Sequence, residues 1–227
     1  MNEPAQPAAP PLPSSASLIT TLGGIAMMSG LLVVLAFQLT LPRIMENKRV
    51  ALEKAVFAVL PGATAKTNLY LSADGMVELP EASAGDANVF AGYDDDGKLV
   101  GLAMEASARG YQDVVRILYG FDPARQCIIG ITVLQSTETP GLGDKIEKDE
   151  DFLANFNCLE ARLNPAGTAL ENEIVTVKHG KKTGAWQIDG ISGATVTSTA
   201  VGNALRASTN EMLPLLGTHG TSLTGIP

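Results

Sequence analysis

Hydroxyl side chains crowd a glycine-containing stretch near the C-terminal end of the chain, Asp189-Gly190-Ile191-Ser192-Gly193-Ala194-Thr195-Val196-Thr197-Ser198. Its small residues let another molecule approach the backbone closely, and the apolar periodicity that follows makes the stretch open onto a helix. Unpaired N–H groups and the positive end of a helix dipole suit such a place to a phosphate. The same hydroxyls would also serve as simple helix caps. Two enzyme patterns come close and miss. In Gly190-Ile191-Ser192-Gly193-Ala194 the second glycine falls one place early for a nucleophile elbow. Around Gly180-Lys181-Lys182-Thr183 the P-loop pattern breaks.

Other candidates for chemistry are sparse. Asp94-Asp95-Asp96-Gly97-Lys98 invites a calcium loop, but an EF-hand needs an acidic residue five places before its glycine and another six after. Gly92 and Ala103 stand there, so Asp96-Gly97 is read as a hairpin turn. Cys127 and Cys158 lack metal-ligand spacing, as do His179 and His219, and packing or surface roles are their default. A bridge between the cysteines is open only outside the cytoplasm. The chain carries 24 acidic against 16 basic residues, and every Lys and Arg lies at or beyond Arg43. An acidic surface argues against a nucleic-acid partner, which needs clustered Lys and Arg.

Several elements must position the hydroxyl-rich stretch. Val201, Leu205, Ser208, Met212 and Leu216 recur at helical spacing, which predicts a helix over 197–216. A Gly- and Thr-rich tail at 217–227 should be loosely ordered. Upstream, β-rich runs at 89–93 and 99–105 flank the Asp96-Gly97 turn, and runs at 114–121 and 127–134 flank a turn at 122–125. A loop with two glycines and a proline follows, Glu138-Thr139-Pro140-Gly141-Leu142-Gly143, with a helix start near Asp144. Antiparallel hairpins flanked by helices make this an α+β domain, spanning 43–216.

Before that domain, residues 18–41 form an uncharged apolar run, long enough as a helix, at about 36 Å, to cross a bilayer. The acidic, Pro-rich leader at 1–17 and the length of the run speak against a cleaved signal peptide, so an uncleaved anchor in membrane lipid is expected. Gly23, Ala26 and Gly30 give it a small-residue face that a second helix can approach. Residues 43–60 read as an amphipathic helix with Val50, Ala51, Ala55, Phe57 and Leu60 on its apolar side. It should continue the anchor after a break at Pro42 and stop at Pro61-Gly62. Arg43, Lys48 and Arg49 directly after the span would by themselves place the domain in the cytoplasm, although that rule weakens when a long domain follows.

The run D-G-I-S-G-A-T at 189–195 resembles the flavinylation motif of the FMN-binding domain family, whose last threonine is joined to the FMN phosphate by a flavin transferase. Other segments carry the same resemblance: R-I-x-E-N at 43–47, V-L-P-G at 59–62, Gly110-Tyr111 and E-T-P-G-L-G-D-K-I at 138–146. Together with the single N-terminal span they resemble the G subunits of Rnf electron-transport complexes, relatives of the C subunits of sodium-pumping NADH:quinone reductases. Two features depart from that pattern: no basic residue precedes the span, and Val196-Thr197-Ser198-Thr199 stands where Thr-Pro-Arg is usual.

The resemblance implies covalent FMN on Thr195, with Ser192, Gly193 and Ala194 around the phosphate and Asp189 recognised by the transferase. Thr197 and Ser198 would complete the phosphate loop. The Glu138, Thr139, Leu142 and Gly143 loop would lie against the flavin ring, or be an ordinary turn. Tyr111 would stack on the ring or be a core tyrosine. The implied function is electron relay between the membrane, iron–sulfur and flavin subunits of an ion-translocating oxidoreductase complex in a bacterial inner membrane. The flavin domain would face the periplasm. No general acid, base or nucleophile arrangement of a substrate-converting enzyme is visible. Two alternatives stay open: a stand-alone membrane flavin reductase, and a structural subunit without flavin.

Overall fold

The computed structural model describes residues 14–219. Most of the expected Pro-rich leader (1–13) and the end of the expected tail (220–227) lie outside the described residues. The chain divides into two units, 1–48 and 49–227.

Helix α1 (Ser15–Val59), of which the residues up to Lys48 belong to the first unit, starts at Ser14, whose hydroxyl accepts the N–H of Ser17 at 3.3 Å. An 18-residue window reaches a mean hydropathy of 2.1. Large apolar side chains from Leu18 to Leu39 are exposed. The hydroxyls of Thr20, Thr21 and Thr40 bond back to carbonyls four residues earlier, so the helix presents few free polar groups to lipid. No break occurs at Pro42, which the helix passes through. Proline removes one backbone donor but holds φ near the helical value, and here the helix continues.

The second unit is built on a seven-stranded antiparallel sheet. Its strands are β1 (Ala65–Ser72), β2 (Gly75–Leu79), β3 (Val89–Tyr93), β4 (Leu99–Arg109), β5 (Val114–Asp122), β6 (Cys127–Gln135) and β7 (Leu159–Glu160), in the order β2-β1-β3-β4-β5-β6-β7. The hairpin at Asp96-Gly97 is present: Asp94 accepts the N–H groups of Asp96 and Lys98, and Gly97 has φ +74°. β4 runs four residues beyond its expected end, and β1, β2 and β7 were not expected from the sequence. The helix expected near Asp144 is instead a 3-10 turn (Gly143–Glu147) followed by the short α2 (Glu150–Ala154).

Strand alternation divides the core. Leu102, Met104 and Ala106 of β4 face one side, with Ile117 and Tyr119 of β5, beneath helix α3 (Thr195–His219). Ala103 and Leu118 face the other side, with Phe90, and pack against Ala55, Val56, Val59 and Leu60. Of the apolar side expected for 43–60, Ala55 and Leu60 are buried, Val50 and Phe57 are half-buried and Ala51 is exposed. A row of glycines explains the close approach of Val59 and Leu60. Gly92 pairs with Gly101 and Gly120 with Gly130 across four strands. A Cβ on Gly92 would lie 2.6 Å from Leu60 Cδ1, and one on Gly101 2.9 Å from Leu60 Cδ2.

The default of separate roles for the cysteines does not hold: Cys127 and Cys158 are joined in a disulfide. Cys127 begins β6 and pairs with Glu160 of β7, so the bridge staples the segment before β7 to the sheet. Helix α3 covers more than 197–216, beginning at Thr195 and running to His219. Val201, Leu205, Met212 and Leu216 are buried as expected, and Ser208 bonds Tyr119 Oη at 2.9 Å.

Candidate functional site

Two short parallel strands, β8 (Val175–Val177) and β9 (Gln187–Asp189), deliver the hydroxyl-rich loop. Ile188 is fully buried and fixes β9, so Asp189 ends the strand at the core edge. The backbone of Asp189 is held on both sides by Asn155: its N–H donates to Asn155 Oδ1 at 3.0 Å and its carbonyl accepts from Nδ2 at 3.3 Å. Lys182 Nζ donates to the same Oδ1 at 2.9 Å. The Asp189 carboxylate accepts the Gly180 N–H at 2.7 and 3.0 Å and lies 3.6 Å from His179 Nδ1. Asp189 is thus half-buried and engaged within the chain. Beside it, a cavity of about 230 Å³ is lined by Lys145, Asp149, Phe152, His179, Asp189 and Ser192, among others.

The loop turns at Gly193, whose φ of +83° favours glycine. Ser192, Gly193 and Thr195 are exposed, and Ala194 is buried. Helix α3 has Thr195 as its first residue, and its first regular bond runs from Ser198 N–H to the Ala194 carbonyl at 2.9 Å. Ala194 therefore occupies the capping position, where an oxygen-bearing side chain is strongly preferred. No hydrogen bond within the described residues uses the Thr195 hydroxyl. The simple-cap reading of these hydroxyls fails at this helix start, because the capping residue has no side-chain oxygen. The first-turn N–H groups, which an α-helix leaves unpaired, stay available to an anion.

The next two hydroxyls turn inward. Ser198 Oγ donates to the Thr195 carbonyl at 3.1 Å and accepts the Ile191 N–H at 3.3 Å. Thr197, buried, donates to Glu138 Oε2 at 2.6 Å. Glu138 is only 8% exposed, so its carboxylate lies inside the protein rather than on the surface of its loop. Gln112 N–H donates to Oε1 at 3.0 Å. Burial pushes the Glu138 carboxyl upward, but the Thr197 hydroxyl and the N–H groups of Gln112, Asp113 and Tyr111 outweigh it and hold it below the usual glutamate range. Two glycines make the room. A Cβ on Gly110 would stand 2.5 Å from Glu138 Oε1, and one on Gly143 2.5 Å from Glu138 Cβ.

This buried carboxylate brings three distant segments together: the turn after β4, the 138–143 loop and the first turn of α3. Half-buried Thr139 adds a tie, its hydroxyl accepting from Gln112 Nε2 at 2.7 Å. Each of the three segments also carries an exposed apolar side chain. Tyr111 precedes Gln112 and is 72% exposed; Leu142 precedes Gly143, and Val196 precedes Thr197. Tyr111 is therefore no core residue. Of the expected site residues, Tyr111, Glu138, Thr139, Leu142, Gly143, Thr195, Thr197 and Ser198 fall on these three segments, whereas Asp189, Ser192, Gly193 and Ala194 lie between the end of β9 and the start of α3. Thr195, Ser192, Gly193, Leu142 and Tyr111 face outward, whereas Glu138, Gly143, Ala194, Thr197 and Ser198 form the support beneath. Gln112 and Asn155 were not anticipated; nothing in residue type or periodicity singles them out.

An exposed threonine thus opens a helix whose capping residue has no side-chain oxygen, with exposed Val196 next to it. The FMN-binding domain family matches residues 110–210, which contain every one of these contacts. The fold is shared with NqrC of Shewanella oneidensis (TM-score 0.61, 20% identity, 75% of this chain and 97% of that one). It is also shared with the C subunit of the Na(+)-translocating NADH-quinone reductase of Parabacteroides distasonis (TM-score 0.52, 24% identity, 67% and 78%).

Curated relatives are more specific. The G subunit of the ion-translocating oxidoreductase complex of Shewanella piezotolerans is 29% identical over 83% of this chain and 84% of its own. Its counterpart in Escherichia coli K12 is 32% identical over 68% and 70%. The chain belongs to the family of G subunits of ion-translocating oxidoreductase complexes.

Proposed function

We propose that this chain is the membrane-anchored flavoprotein subunit that relays electrons within an ion-translocating oxidoreductase complex, carrying FMN as a phosphoester on Thr195. The observation that carries this reading is the exposed Thr195 hydroxyl on the first turn of α3, above a capping position filled by Ala194. Family membership supports the relay role and the association with other subunits of such a complex, which we take to include membrane, iron–sulfur and flavin subunits. The chain has one apolar helix of spanning length among its described residues, which fits a single-pass protein held in lipid.

The residues fit the group. The first-turn N–H donors and Gly193 would receive the phosphate, with Ser192 at the loop's rim. Tyr111, Leu142 and Val196 would offer apolar surface to the ring. When bound, FMN supplies reversible one- and two-electron chemistry, and attachment through the phosphate leaves its ring free. Attachment requires an activated donor, a phosphoanhydride of FMN. Thr195 Oγ forms the new P–O bond and gives up its proton, while the anhydride P–O bond breaks and the rest of the donor leaves as a phosphate. A flavin transferase would supply the base, using the loop from Asp189 to Thr195 as its recognition element.

The Cys127–Cys158 disulfide supports a periplasmic flavin domain in a bacterial inner membrane, because disulfides persist in oxidising compartments and are rare in the cytosol. This weighs against the cytoplasmic placement that Arg43, Lys48 and Arg49 alone would favour.

The test is flavin fluorescence on a denaturing gel of wild type and Thr195→Val, each co-expressed with a flavin transferase. A fluorescent wild-type band that is missing from the variant is expected. A wild-type chain without fluorescence would move the assignment to a structural subunit.

A further inference from the structure

Glu138 sits where a carboxylate is costly. A buried charge needs compensating partners, and a buried ionic group is weak evidence of stabilisation by itself. Hydrophobic side chains would fill the same space under α3. The surroundings are shaped to the carboxylate, with glycine at both positions where any side chain would strike it, 110 and 143. Its strongest contact is with a side chain of α3, the Thr197 hydroxyl at 2.6 Å, and not with the helix backbone. The first-turn N–H groups are thereby left free while the turn itself is pinned.

We propose that Glu138 is a positioning residue which locks the first turn of α3 to the 110–113 turn and the 138–143 loop, so that Thr195 is presented for flavin attachment between Tyr111 and Leu142. This rests on the proposed attachment at Thr195. Glu138 makes no contact with the cofactor in this role; it acts through Thr197 and through Gln112. The lock is specific to an acceptor-only group. In Glu138→Gln the side chain keeps its shape, but its amide nitrogen brings donors to a place where both oxygens already accept from donors, the Thr197 hydroxyl and the Gln112 N–H. Thr197→Val removes the same bond from the other end with little change of volume. Thr197→Ser keeps it.

The experiment measures the initial rate of flavin attachment to the full-length chain in membranes with a flavin transferase, per folded chain, with folding read from thermal melts. Glu138→Gln and Thr197→Val should each slow attachment tenfold or more. The double variant should be no slower than the worse single one, and Thr197→Ser should stay within threefold of wild type. A role in stability alone would lower the melting temperature and leave the rate per folded chain unchanged. That result, in either Glu138→Gln or the milder Thr197→Val, overturns the proposal. If Thr197→Ser is as slow as Thr197→Val, the hydroxyl is not the link and the proposal also falls. A wild-type chain that accepts no flavin at all would instead refute the attachment reading on which the proposal stands.

Discussion

Substituting Gly143 by alanine tests the confinement of Glu138 directly. The added Cβ would lie 2.5 Å from Glu138 Cβ and 2.7 Å from Oε2. Carbon atoms pack at about 3.5–4.0 Å, so Glu138 must retreat by roughly 1 Å. A retreat of that size stretches the 2.6 Å bond to Thr197 to about 3.6 Å, where it ceases to be a hydrogen bond. Overpacking costs about 1–3 kcal/mol. The lost bond to a charged acceptor adds about 1.5–3 kcal/mol. Since the two effects share one displacement, about 3 kcal/mol is the reasonable sum, or roughly 6–12 °C in melting temperature for a domain of this size. Thermal melts of the full-length chain in detergent, followed by near-UV circular dichroism, would measure it. Gly97→Ala is the control: its φ of +74° makes alanine strained there, but no atom lies within 4 Å, so about 1–2 kcal/mol is expected. Combining Gly143→Ala with Glu138→Ala should cost much less than the sum of the two, because the second change removes what the first strikes. A Gly143→Ala chain that melts within 2 °C (roughly 0.5–1 kcal/mol) of wild type, or strict additivity with Glu138→Ala, would refute the reasoning.

Other perturbations have equally definite outcomes. Replacing Cys127 and Cys158 by alanine frees a closed loop of 31 residues, which the chain-entropy relation values at about 3–4 kcal/mol; chemical denaturation would show it. In intact wild-type cells the exposed Cys158 should react with a membrane-impermeant maleimide only after reduction. Because Glu138 is held below its ordinary value of 4.5, its contribution to stability is complete above that value. It is lost as pH falls through the depressed value of the folded state, so the melting temperature of wild type should drop more steeply below pH ~4.5 than that of Glu138→Gln. Starting the chain at Ala63 rather than Arg49 should unfold the sheet domain, since it removes Val56, Val59 and Leu60, each worth about 1.5–3 kcal/mol buried. A folded product by circular dichroism would contradict the role given to the glycine row.

The parts legible in the sequence are those with long periodicity or a dense local motif. Helix α3 announced itself through Val201, Leu205, Met212 and Leu216, and the anchor through an unbroken apolar run. The central hairpins were visible because β-rich runs met at turn residues such as Asp96-Gly97. What escaped depends on contacts between distant residues. β7, β8 and β9 are two or three residues long, too short to show alternation, and are held by buried Leu159 and Ile188. The hairpin of β1 and β2 carries an Asp74-Gly75 turn after Leu69 and Leu71 at alternate positions, a local signal of the readable kind. Gly92, Gly101, Gly120 and Gly130 each sit inside a strand, which can mark a close backbone approach, yet only the fold reveals that they form one row under Val59 and Leu60. At the site, the sequence offers Glu138 as part of a loop against the flavin ring or of an ordinary turn, and its burial is not legible there because glutamate is rarely buried. Its partners come from chain separations of 26 and 59 residues, which no local pattern encodes.

The central claim is tested most directly by mass analysis of peptides from the full-length chain, purified from cells that also make a flavin transferase. The account predicts that the peptide containing Thr195 gains the mass of an FMN phosphoester, with fragment ions placing it on Thr195 and not on Ser192, Thr197 or Ser198. An unmodified Thr195 peptide, or flavin carried on one of those other hydroxyls, would contradict it.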